Sequence, residues 1–306
     1  MSAFSIHLPA TSANLGPGFD TLAVALDRHL EVSAETGTEF SIEATGRHPE
    51  VCGSLGRNLL LDVYRKTLAA NGKEVQPLAL RVHNEIPLGM GMGSSAAVRL
   101  AGVALAAHFG QLGWDSDRIL AEGVRLEGHP DNAAACWLGG FVAGSWTADH
   151  GDGPRLQTVS FRLPEAWRAL VVIPTAPLAT VASRAVLPES YTRADVVFNL
   201  QRASLLTAAF AAGRANLVAD AMRDRIHQPY RSQVCPLLPA LESLAGTPGV
   251  LGVALSGAGP AILLILESES AFESVEAEIR RRTQSGEVAE ILRCSFGAGA
   301  GETGAR

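Results

Sequence analysis

Residues Pro87 to Ala97 read PLGMGMGSSAA, three alternate glycines followed by two serines and an alanine pair. The residues before it, LALRVHNEIP, alternate apolar and polar and predict a strand that ends just ahead of the loop. The residues after it, AAVRLAGVALAAHFG from Ala96 to Gly110, are apolar on nearly every side, with Arg99 the only full charge. Such a stretch predicts a helix buried inside a domain rather than lying on its surface. Strand, glycine turn and helix N-terminus together make an anion site, because unpaired amides and the positive end of the helix dipole point the same way. Gly89, Gly91 and Gly93 allow positive φ and close approach of a ligand. Ser94 and Ser95 offer a helix cap and hydroxyls for a phosphate or a magnesium ion. A structural turn with a serine cap accounts for the same composition equally well.

Several familiar nucleotide motifs are excluded here. No lysine precedes the serine, so the loop is not a Walker A loop. The spacing is G-x-G-x-G rather than G-x-G-x-x-G, without a βαβ pattern and acidic partner, so it is not a dinucleotide fingerprint. Nor is it a G-x-S-x-G nucleophile elbow.

The remainder of the chain narrows the class. Its 306 residues are 47% hydrophobic and 18% charged, ample for one large or two medium domains with a sizeable core. The formal charge of −6 and the lack of a long basic run argue against a general binder of nucleic acid or of a membrane surface. The densest basic cluster, Arg280-Arg281-Arg282, closes a helix that starts acidic and so suits that helix's dipole. Cys52, Cys136, Cys235 and Cys294 form no CxxC pair and read as isolated, mostly buried thiols of a reducing compartment. There is no signal-peptide pattern at the N-terminus and no run of eighteen apolar residues, so a soluble, cytoplasmic protein is expected. The glycine-rich residues 297–306 are expected to be a disordered tail.

Along the chain, FSIHLPAT predicts a first strand ending at Pro9, LEVSAE and FSIEATG two more, and NLLLDVYRKTLAANG a helix closed by Gly72. WRALVVIPT predicts a buried strand stopped by Pro174, and Asp195 to Arg225 an alanine-rich helical segment. GVLGVALS, GAGP, AILLILE, an amphipathic helix and VAEILRCSF then follow in the order strand, turn, strand, helix, strand, which predicts an α+β arrangement.

PLGMGMGSSAA resembles the phosphate loop of the GHMP kinases, with Met92 in a slot where leucine is usual. LPATSANLGPGFDTLAVAL (Leu8 to Leu26) resembles the first motif of that superfamily and LSGAGPAILL (Leu255 to Leu264) the third, in the right order across most of the chain. Within the superfamily, ATSANLGPGFD and EGHPDNAAACWLGG are most similar to the homoserine kinases, as more loosely are TVASRAVLP and HQPYR. Those kinases usually carry a proline at or near the position of Ala135. The resemblance implies an α+β, two-domain GHMP kinase fold. Residues 1–165 would form an N-terminal, ATP-binding domain like ribosomal protein S5 domain 2, and 166–296 a C-terminal ferredoxin-like domain. It implies ATP-dependent phosphorylation of L-homoserine to O-phospho-L-homoserine in threonine synthesis, with ATP and Mg2+ as cofactors and a homodimer as a possible assembly.

The substrate is a zwitterion with a free hydroxyl, so its pocket needs a cation, an acceptor and orienting polar groups. By resemblance Arg184 and Arg231 clamp the carboxylate, a task that suits planar guanidinium groups. Asn14 and Asp20 hold the amine and hydroxyl end, with Gly257 of the third motif beside them. Asp131, Asn132 and Thr180 lie at the reacting hydroxyl, and Pro87, Leu88, Gly89, Met90, Gly91, Met92, Gly93, Ser94, Ser95, Ala96 and Ala97 hold ATP. Ser95 and Glu122 hold the magnesium, with Glu127 the runner-up. No lysine stands near the first motif, so no general base is assigned, and Asn132 is expected only to orient the hydroxyl. Without the resemblance the same residues have plainer readings. The arginines are surface groups, Asn14 and Asp20 turn residues, Asp131-Asn132 a helix cap, His129 structural, and SGAGP a hairpin turn. Another small-molecule kinase of the same superfamily, or a non-catalytic ligand sensor on its scaffold, are the rival functions.

Overall fold

A computed structural model describes residues 3–147, 155–178 and 180–302. Two antiparallel-rich sheets carry the fold. The larger contains β1 (Ala3–Asn14), β2 (Gly18–Thr36), β3 (Ser41–Gly46), β4 (Leu78–Asn84), β5 (Phe141–Thr147) and β6 (Arg155–Phe161). The smaller is built from β7 (Arg168–Pro174), β8 (Val250–Leu255), β9 (Ile262–Leu266) and β10 (Val288–Cys294), and a short β11 (Gly301–Glu302) returns to the edge of the larger.

The long β2 organises the larger sheet. It pairs with β1 along most of its length, while Leu30–Thr36 pairs with β4 and Leu22–Val24 with β5. β1 runs through Pro9, where a strand end was expected. The register breaks at that point, Pro9 facing His29 and Ala10 facing Leu26. A residue with no N–H to donate is tolerated in a strand at such an irregularity.

Behind this sheet the helix Ser94–Phe109 is buried on nearly all sides, from Ala96 and Ala97 to Phe109, as its composition predicts. It packs between the helices Leu59–Ala70, Ser116–Glu127 and Asp131–Leu138 and the strand β1. The first of these is capped by Asn58, whose side chain accepts from Leu61 N at 3.2 Å.

In the smaller sheet the order is β10-β7-β9-β8. Alternate residues of β7 enter two different cores. Leu170 and Val172 join Leu238, Val253 and Ile279, whereas Ala169, Val171 and Ile173 join Leu206, Phe210 and Met222. Burial on both faces is why WRALVVIPT reads as an unbroken apolar run. The expected helical segment is two helices, Arg193–Ala211 and Ala215–Ala221, separated at Gly213. Phe141 stacks on Phe161, and Phe210 meets Phe141 and Trp167 edge-on, with ring centroids 4.8–5.6 Å apart.

Part of the expected disordered tail is ordered. Ala298 bridges to Gly139, and Gly301 and Glu302 pair with His7 and Ile6 of β1. Glycine-rich composition suggests disorder, but here bare glycine backbone lies against Leu26 O and Trp137 O, too close for side chains. Residues 303–306 of that tail lie outside the described residues. All four cysteines are free, three of them buried. No helix among the described residues is long and apolar enough to cross a membrane.

Candidate active site

The first motif, the glycine loop and the SGAGP turn meet at one place. Thr11 N donates to Met92 O at 3.1 Å, Ala261 N to Met90 O at 3.3 Å and Gly257 N to Ala13 O at 3.1 Å. Ser256 Oγ donates to Gly91 O at 2.8 Å, and Asn14 Nδ2 to Gly257 O at 2.7 Å. Gly91 and Gly93 have φ of 77° and 71°. A Cβ on Gly91 would overlap Ser256 O, and one on Gly93 would overlap Thr11 Oγ1. Both conformation and crowding therefore require glycine. Gly93 is the N-cap of Ser94–Phe109, and no side chain caps that helix. Ser94 and Ser95 stand in its first turn instead of capping it, which leaves first-turn amides available to a ligand.

A cavity of about 580 Å³ opens at this helix end. Of the expected nucleotide residues, Gly89 and Gly91 through Ala96 line it. Pro87 and Ala97 are buried behind the loop, and Met90 packs on the core. Leu88 lines a second hollow of about 280 Å³ that shares Ser94 and Ser95 with the first. Its walls are mostly apolar, including Leu30, Ile42, Leu59 and Val98, with Asn58 and Arg57 as polar groups. Of its lining, the sequence pointed only to Leu88, Ser94 and Ser95.

Asn14, Asp20, Asp131, Asn132, Arg184, Arg231 and Gly257 all line the main cavity. Thr180 opens the helix Thr180–Ala185, and its side chain lies outside the described residues. Asn14, Leu15 and Asp20 adopt left-handed φ of 70°, 49° and 53°, a cost that non-glycine residues bear where the surrounding structure imposes it. Asn14 Oδ1 accepts from Asp20 N at 2.9 Å and so fixes this turn. Asp20 and Arg184 form a two-pronged pair at 2.7 and 3.1 Å. The Arg184 guanidinium is pushed up: burial opposes its charge, but Asp20 more than compensates.

Arg231 is the opposite case. The residue is 1% exposed, and among the described residues no carboxylate pairs with it. Nε donates to Ser183 O at 3.3 Å, and Nη1 to His227 Nδ1 at 3.1 Å and Gly257 O at 3.4 Å. Burial first, and the neighbouring Arg184 charge second, pull its pKa down. His227 holds the neutral tautomer this network needs, Nδ1 accepting from Arg231 and Nε2 donating to Gly16 O at 2.7 Å. Burial is the main cause of its lowered pKa. Phe19 stacks on His227 and lies 5.5 and 5.3 Å from the Arg184 and Arg231 guanidinium carbons.

At the other wall, Asp131 Oδ1 accepts from Asn132 N at 2.7 Å and meets His129 Nδ1 at 2.5 Å. His129 is pushed up despite its burial, by Asp131 foremost and by Asp20 and Glu127. Asn132 Oδ1 accepts from Thr11 Oγ1 at 2.7 Å, so its amide Nδ2 remains the group free to donate. This fits an orienting donor rather than a base. Ala135, where the resemblance leads one to expect a proline, is fully buried in the core.

Glu122 does not reach the cavity. Arg125 holds both its oxygens at 2.7 and 2.8 Å. Glu127, the runner-up, lines the cavity and faces Ser95 across Arg99, which bonds to both. Sequence reasoning also passed over Thr11, Phe19, Arg99 and His227. Arg99 was visible as the lone charge of an apolar helix, and His227 as the residue one turn before Arg231.

The fold and this cavity define a small-molecule kinase of the GHMP class. The family description GHMP kinases N terminal domain matches residues 58–140, and GHMP kinases C terminal matches residues 206–286. A homoserine kinase of Solibacter usitatus is 46% identical, over 96% of this chain and 95% of its own length. One from Schizosaccharomyces pombe is 37% identical over 87% of this chain and 88% of its own. A crystal structure of homoserine kinase from Cytophaga hutchinsonii superposes with a TM-score of 0.81 at 24% identity, over 99% of this chain and 98% of that one, and shows the shared α+β fold. The chain belongs to the homoserine kinase family of the GHMP kinases.

Proposed function

We propose that this chain transfers the γ-phosphoryl group of ATP to the hydroxyl of L-homoserine, giving O-phospho-L-homoserine. One observation carries the reading: a buried arginine without a carboxylate partner among the described residues stands in the same cavity as a capless, glycine-fronted helix end. The first is a receptor for an amino acid's carboxylate, the second for a phosphate. Asp20 supplies the acceptor for the ammonium group, and Arg184 shares its charge between Asp20 and the incoming carboxylate. Asn132 Nδ2 donates to the substrate hydroxyl, while Thr11 holds the amide in that orientation.

The loop Gly89–Ala96 holds the triphosphate, and the apolar hollow beside Leu88 and Asn58 takes the purine. Ser95 and Glu127 fit a magnesium ion, being a hydroxyl and a carboxylate that already share a cation. Bound there, the metal supplies charge neutralisation over the phosphate oxygens. Glu122, tied to Arg125, is not assigned to it. The site sits largely on residues 1–165, and the change of sheet between Phe161 and Arg168 supports a boundary near 165. A cytoplasmic enzyme acting on small molecules fits the charge of −6. Exposed Val196, Val197 and Leu200 on the helix Arg193–Ala211 support a homodimer.

The test is ADP release from the purified protein with ATP and magnesium, compared across homoserine, mevalonate, shikimate and galactose. Turnover confined to homoserine is expected. Turnover on one of the others alone would refute the reading, and tight ATP binding without turnover on any would favour a sensor.

A further inference from the structure

Arg99 is the single full charge between Ala96 and Phe109, and its side chain, 25% exposed, lies on the cavity wall. Nη1 bonds to Ser95 Oγ, one turn earlier on the same helix, and to Glu127 Oε1 at 2.9 Å across the gap to the next helix. Glu127 ends the helix Ser116–Glu127 and its side chain is 11% exposed. A carboxylate there meets the negative end of the helix dipole and little water, so it needs a cation. The protein provides one from its own sequence, between the same two oxygens assigned above to the metal.

We propose that Arg99 is a resident counter-ion that keeps a free divalent cation out of the Ser95–Glu127 pair in the nucleotide-free enzyme and turns to the triphosphate when nucleotide and metal arrive together. The inference rests on the reading of Ser95 and Glu127 as the metal-holding pair. Exclusion follows from geometry. A magnesium ion needs its oxygens at about 2.1 Å, and a guanidinium nitrogen bonded to both oxygens fills that space. Exchange follows from the electrostatics, because Glu127 keeps a cation in either state and an incoming triphosphate offers the displaced guanidinium new acceptors. Arg99 stands one turn past Ser95, in the second turn of the helix whose first turn faces the phosphates, so side-chain rotation alone makes the change.

The experiment uses the full chain without nucleotide and Mn2+ as the probe, with free Mn2+ followed by electron paramagnetic resonance. Arg99→Met is expected to bind Mn2+ roughly tenfold more tightly than the wild type, the order of one partly buried ion pair removed. Thermal melting confirms that the variant is folded. Unchanged Mn2+ affinity in Arg99→Met, with the gain absent, overturns the proposal and leaves the assignment of Glu127 standing. A gained Mn2+ site that survives Glu127→Gln in the Arg99→Met background overturns that assignment and the proposal with it.

Discussion

Arg231→Met separates binding from stability, because a large loss of substrate binding is expected with little change in folding stability. In the folded protein Arg231 is 1% exposed, lacks a carboxylate partner among the described residues, and makes hydrogen bonds of 3.1–3.4 Å. Replacing a buried, unpaired charge with an apolar side chain of similar length removes its desolvation cost, which stabilises the fold. Leaving His227 Nδ1 without its donor costs about 1–2 kcal/mol. The gain and the cost oppose each other, so the net change in folding stability is small and loss of the fold is not expected. The substrate carboxylate, in contrast, loses a buried charge-assisted partner, a deficit of about 2–4 kcal/mol. That corresponds to a roughly 30- to 900-fold lower kcat/KM for homoserine. The control is 3-amino-1-propanol, which keeps the amine and hydroxyl but has no carboxylate. Wild-type enzyme should strongly prefer homoserine, and the variant should lose most of that preference. Equal losses on both substrates, or a variant destabilised by several kcal/mol with an unchanged KM, would refute the argument and make Arg231 a structural residue.

Gly93→Ala forces a side chain into left-handed φ, about 1–2 kcal/mol, and displaces Thr11 from Asn132, about 1 kcal/mol more. Calorimetry should show the midpoint falling by roughly 3–5 °C, together with a lower kcat; an unchanged midpoint contradicts the crowding at this glycine. His227 gives a pH signature. Its folded pKa lies below its unfolded value of about 6.5, so the unfolded chain binds the proton first and stability falls as pH drops below about 6.5 towards the folded value. Urea melts between pH 7 and 5 should show a shallower fall for His227→Gln than for the wild type, and parallel curves would contradict the buried neutral tautomer.

Fold and site were legible to different depths, for physical reasons. The unbroken apolar run of β7 and the all-round apolar helix after the glycine loop could be read directly, since burial on every side removes the need for polar positions. The passage of β1 through Pro9 could not, because the break in pairing that accommodates the proline lies in its partner strand. At the site, the resemblance of three motifs implied that a phosphate loop and an amino-acid pocket come together, and the structure brings the residues of those motifs to one cavity. Which carboxylate faces Ser95 was a finer question. Glu122 and Glu127 are five residues apart on one helix, and at about 100° per residue they point roughly 140° away from each other. Only one of them can face the loop, and proximity to the HPDN turn does not say which. One local signal was present. Arg125 stands three residues after Glu122, on the same face, and so offers it an ion pair without any tertiary contact. Glu127 has no such partner on its own helix, and its cation comes from Arg99 on another. A carboxylate already satisfied by its neighbour in sequence is a poor metal ligand, and one that depends on a distant part of the fold for its counter-charge is the better candidate.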